Sequence, residues 1–81
     1  MKEDCRHVVL GKISIVQEER FRLVDGDGRA LLLTMAASVP LEISDLQHFE
    51  REGTEVEVEY SGEPNVTSGV AQRIRALRPV H

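Results

Sequence analysis

Residues Arg20 to Met35 constrain the fold of this chain more than any other stretch. Two apolar runs flank the turn segment Asp25-Gly26-Asp27-Gly28. Glycine reaches positive φ at no steric cost, and aspartate side chains bond their own backbone in turns. Asp-Gly between apolar runs is a strong hairpin signal. The spacing predicts one strand over Arg20–Val24 and the next over Arg29–Met35. In the first, Phe21 and Leu23 share one face, and Arg20 and Arg22 share the other. In the second, Leu31-Leu32-Leu33 puts apolar groups on both faces, so the outward one needs cover from the chain or from a partner.

The segments around this hairpin supply walls for it. Val8–Gln17 reads as a strand in which Ile13 and Ile15 alternate with Lys12 and Ser14. Gly11 interrupts it and marks a bulge or a sharp bend. Ala36–Ile43 is a connection containing Pro40. Ser44 and Gln47 fit a capping box for a short helix, Asp45–Glu52, ended by Gly53. That helix presents Leu46 and Phe49 on one face and must plug something apolar, because it is too short to be stable alone. Thr54–Tyr60 alternates Val56, Val58 and Tyr60 with Glu55, Glu57 and Glu59. Ser61–Gly69 is a Gly/Pro/Asn/Ser loop. Val70–Leu77 is a last strand whose apolar residues alternate irregularly, as a bulge or strong twist would make them.

The expected class is therefore all-β: a five-stranded barrel with one short helix, in the order β-β-β-α-β-β. With 81 residues, the chain is a single domain over residues 8–77, with tails at 1–7 and 78–81. The expected core is Ile13, Ile15, Phe21, Leu23, Leu31, Leu33, Leu46, Phe49, Val56, Val58 and Ile74.

At this point the chain resembles OB-fold nucleic-acid-binding domains. Gly11-Lys12-Ile13 and the run from Phe21 to Leu33 look like their first three strands, with Gly11, Phe21, Leu23, Asp25 and Gly28 at matching positions. Gly53–Val58 and Val70-Ala71-Gln72-Arg73-Ile74 look like the fourth and fifth. The resemblance implies a ligand lying across strands 2 and 3 and between the flanking loops. That surface would offer Lys12, Arg20, Arg22, Arg29 and the loop Ser61–Gly69. If the barrel closes as the resemblance implies, Arg73 and Arg75 lie across from the Glu55/Glu57/Glu59 row, whose carboxylates would occupy them at a few tenths to about 1 kcal/mol per cross-strand pair.

Catalytic and metal chemistry find little support. An EF-hand loop starting at Asp25 would need further acidic ligands, but its fifth and twelfth positions are Arg29 and Ala36. Cys5 is the only cysteine, so no intrachain disulfide forms; with His7 it supplies two ligands where zinc wants four. His7, His48 and His81 stand apart from any nucleophile motif. Asn65-Val66-Thr67 is a chance glycosylation match. No cofactor, metal or catalytic role is expected. The N-terminus has too short an apolar segment for a signal peptide, and no apolar run is long enough to span a membrane. A cytoplasmic protein that does not bind membranes is expected.

Charge and aromatic content choose between binding modes. The net charge is −4, which opposes phosphate binding overall. The acids cluster: residues 25–63 hold ten of the fourteen, while residues 64–81 hold three arginines and none. Single-strand binders add aromatic platforms to a basic groove. This chain has no Trp, one Tyr and two Phe, all on expected core faces. The function expected is a non-catalytic binding module that meets a protein partner or a second copy of itself. Its candidate surface is Lys12, Arg20, Arg22, Arg29, Leu32, Arg73 and Arg75. The alternative is single-stranded nucleic-acid binding through Arg20, Arg22 and Arg29.

Overall fold

Each alternating strand contributes one wall to a common core, and together they close into a barrel. The computed structural model describes residues 6–62 and 68–77; Cys5, the sequon Asn65-Val66-Thr67, most of the loop before Ser68, and the C-terminal tail with His81 lie outside them. The elements are β1 (Arg6–Gln17), β2 (Arg20–Asp25), β3 (Ala30–Met35), α1 (Ile43–Glu52), β4 (Glu55–Ser61) and β5 (Ser68–Ala76). Around the barrel the order is β1-β2-β3-β5-β4, and β4 pairs back onto β1. The β3–β5 pair is parallel and the others are antiparallel. The expected all-β barrel and its element order are observed.

Closure depends on β1, which is 12 residues long. Its first half pairs with β4 and its second half with β2, the two ladders overlapping at Gly11 and Lys12. A Cβ on Gly11 would lie 2.4 Å from the Val24 carbonyl oxygen, so only glycine permits this approach of the two backbones. The β2–β3 hairpin is tied by Asp25, whose Oδ1 accepts from the amides of Asp27 and Arg29 at 2.9 Å each. Gly28 takes φ +82°, the left-handed conformation its position requires.

Two bulges set which side chains face inward. In β1, Ile13 pairs with Leu23 and Ile15 with the adjacent Arg22, leaving Ser14 as the extra residue. Ile15 was expected in the core by simple alternation. The extra residue instead turns it outward, and it is 41% exposed while Ile13 is 3%. Val16 packs against the core in its place. In β5, Gln72 is extra, between the Glu59–Arg73 and Tyr60–Ala71 pairs. Ala71 and Ile74, three apart, therefore both face inward, and Arg73 stays outside. This accounts for the irregular apolar spacing of that strand.

The core comprises Ile13, Phe21, Leu23, Leu31, Leu33, Leu46, Val56, Val58 and Ala71. Phe49 and Ile74 pack at its margin, partly buried. Val39, in the connection after β3, is buried as well, with no apolar periodicity around it to announce it. Helix α1 packs chiefly against β1 and inserts Leu46, fully buried, a burial that contributes about 1.5–3 kcal/mol. Its start corrects the expected cap. Glu42, with extended backbone, is the N-cap, and its amide donates to Asp45 Oδ2 at 2.8 Å. Ser44 lies inside the first turn. The helix gains two residues because a carboxylate at the third helical position reaches back as well as a glutamine would. Gly53 closes the helix at φ +66°, as expected. No helix among the described residues is long and apolar enough to cross a membrane.

Candidate interaction groove

The outer wall of β1, β2, β3 and β5 carries two cross-strand rows. One runs Ile15–Arg22–Leu32–Ser68, and the other Gln17–Arg20–Thr34–Val70. Neighbouring side chains within a row stand one strand spacing apart, about 4.8 Å, and the rows are separated by two residues of strand rise, about 7 Å. Between them the inward-facing Phe21, Leu33 and Gly69 form the floor. The result is a groove of about 630 Å³ lined by these residues.

Three aliphatic side chains are open to solvent in this groove: Ile15 at 41%, Leu32 at 59% and Val70 at 38%. Each is there for a separate reason. The Ser14 bulge turns Ile15 outward. Leu32 takes the outer face because Leu31 and Leu33 take the inner one. The parallel β3–β5 register brings Val70 beside Thr34. Gly69 lets β5 come close: a Cβ there would lie 2.6 Å from the Ser61 carbonyl oxygen and 2.9 Å from the Tyr60 ring.

The groove is basic as well as apolar. Arg22 Nε donates to Ser14 Oγ at 2.9 Å, which holds the half-buried Arg22 against the bulge. Among the described residues neither Arg20 nor Arg22 is paired with a carboxylate. The lining residues include no Asp or Glu.

The basic set expected from the sequence is divided by the fold. Arg20, Arg22 and Leu32 meet in the groove. Lys12 instead borders a second depression with His48, Glu52, Gly53, Thr54, Glu55 and Leu77. Arg29 sits at the base of the hairpin turn, its amide bound by Asp25. Arg73 and Arg75 lie opposite Glu59 and Glu57 on the β4–β5 wall, the cross-strand arrangement expected of a closed barrel. Arg75 bonds Glu57 at 2.5 Å, and Arg6 reaches Glu59 at 3.3 Å. Ser68 and Gly69 belong to the anticipated Ser61–Gly69 loop segment and here open β5, whereas Ile15, Gln17, Thr34 and Val70 were not anticipated in the site. Only the irregular spacing in β5 hinted at any of them.

No aromatic face is presented in the groove. Phe21 is 2% exposed and serves as floor. Tyr60 lies against His7, ring centroids 5.3 Å apart, and Phe49 packs on the core. Among the described residues no three His, Cys, Asp or Glu side chains converge to hold a metal. Comparison with protein-family models and with curated proteins gave no match.

Proposed function

We propose that the chain is a non-catalytic protein-interaction module of the OB-fold type, acting in the cytoplasm, with the β1–β2–β3–β5 groove as its binding surface. The OB-fold assignment is supported by the closed order β1-β2-β3-β5-β4 with the helix between β3 and β4. The observation that carries the binding role is the gathering of exposed Ile15, Leu32 and Val70 beside Arg20 and Arg22 in one groove. Exposed aliphatic side chains gathered in one groove support an interaction site, and arginine is enriched at such sites.

Magnitudes separate the contributions. Covering a half-exposed aliphatic side chain is worth about 1 kcal/mol, half the value for complete burial, so three supply about 3 kcal/mol. Solvent-exposed ion pairs contribute about 0.2–1 kcal/mol each. The aliphatic contacts would therefore supply most of the affinity, and the arginines would orient the partner. Single-stranded nucleic acid fits this surface less well, because stacking on aromatic rings normally contributes about 1–3 kcal/mol per base and no ring faces the groove.

Selection from a random displayed-peptide library on the wild-type protein, counter-selected on Leu32→Glu, tests the proposal. The expected result is enrichment of sequences that bind wild type and not the variant. Failure to enrich any, together with binding of mixed-sequence single-stranded DNA or RNA at low salt, would replace it with the nucleic-acid function.

A further inference from the structure

We infer that the groove takes an acidic, aliphatic segment of a different protein, one that sets two carboxylates about 7 Å apart against Arg20 and Arg22. This inference rests on the interaction-module proposal and specifies the partner's chemistry. Arg20 and Arg22 stand two positions apart on β2, on its outer face, so their stems are separated by about 7 Å. Ser14 engages Nε of Arg22 and leaves its terminal nitrogens for a ligand. A guanidinium meets a carboxylate with a planar fork of donors. Carboxylates at alternate positions of an extended segment match the spacing, and carboxylates one turn apart on a helix come close to it, at about 5–6 Å. Aliphatic side chains beside them would meet Ile15, Leu32 and Val70 and lie over the floor of Phe21 and Leu33.

Charge also decides between a different protein and a second copy. A two-fold contact places the same patch on both sides. Pairing this groove with itself would gather four guanidiniums, and its lining residues offer no carboxylate to offset them. Like charges brought together at an interface oppose association. The acids of the described chain lie instead on β4, on the helix and just before it, at the end of β2, and at the turns, where Glu18 and Glu19 stand at the end of the groove and not in its lining.

Amide chemical-shift titration of the whole protein provides the test, with three probes. One is a short peptide carrying two glutamates at alternate positions among leucine and isoleucine. The second has glutamines in their place. The third is a mixed-sequence single-stranded DNA oligonucleotide. The glutamate peptide is expected to shift the amides of Ile15, Arg22, Leu32 and Val70, and to bind more weakly as salt rises. The glutamine peptide, and the Arg20→Gln/Arg22→Gln variant, should each lower affinity about tenfold. Arg20→Gln alone, at an exposed position, gives the same direction of effect if the double variant folds poorly. Equal binding of both peptides, abolished by Leu32→Glu, would overturn the acidic partner and leave the interaction module standing. Groove shifts from the DNA alone, or from none of the probes, would overturn both. A dimer in sedimentation that Leu32→Glu disperses would overturn the choice of a different protein over a second copy.

Discussion

Arg22 and Ser14 are joined side chain to side chain across the β1–β2 ladder, at the one place where β1 carries an extra residue. The same bulge that turns Ile15 out of the core thus supplies the hydroxyl that steadies the arginine beside it. A ladder defect and a binding surface have a single local cause. Ser14→Ala should cost about 1 kcal/mol, the usual contribution of one such hydrogen bond, measured by urea denaturation. It should also weaken any groove ligand that engages Arg22. Unchanged stability with unchanged binding would show the bond to be incidental.

Gly11 should tolerate no side chain. Gly11→Ala drives a Cβ into the Val24 carbonyl at 2.4 Å, and neither backbone can withdraw without opening a ladder. Destabilisation of more than about 2 kcal/mol is expected, as for overpacking. Gly26→Ala is the control. It has open space around it and no positive φ, so a change within about 0.5 kcal/mol is expected. Thermal unfolding of the two variants side by side checks the contrast.

The barrel was legible in the sequence because its strongest signals are local. Asp25-Gly26-Asp27-Gly28 states a turn, and Val56, Val58 and Tyr60 alternate with glutamates. The bulges were less legible. Ile15 and Val16 are both branched aliphatics, and composition does not say which faces inward when one residue is inserted before them. The helix start was misplaced for a similar reason, since Ser44 and Glu42 each offer a workable cap. In the site, Arg20, Arg22 and Leu32 followed from alternation within two strands. Val70 did not, because its place depends on a parallel pairing between strands remote in sequence, and Ser68 followed only as part of the Ser61–Gly69 loop. Lys12, Arg29, Arg73 and Arg75 share charge with the groove arginines, but the fold carries them elsewhere.

Leu46 and Leu32 should differ widely in their response to truncation. Leu46 is fully buried and Leu32 is 59% exposed. Leu46→Ala should cost about 2–5 kcal/mol, and Leu32→Ala should stay within about 0.5 kcal/mol. Denaturant midpoints would reveal the difference. A large cost at Leu32 would mean that the free chain covers it, and the groove would lose its claim to be open.

Asp25 belongs to the turn. Its Oδ1 holds two backbone amides, so Asp25→Ala should destabilise by about 1–2 kcal/mol, while Asp25→Asn keeps an acceptor and recovers part of it. Calcium at millimolar concentration should leave the melting temperature of the wild-type protein unchanged. A clear rise would restore a metal role to the loop.

The most direct test of the groove is amide-shift mapping with peptides selected on the wild-type protein. The shifts should concentrate on Ile15, Arg22, Leu32 and Val70 and leave Lys12, Arg29 and Arg75 unmoved. Shifts centred on the Glu57–Arg75 wall, or none in the groove at saturating peptide, would contradict it.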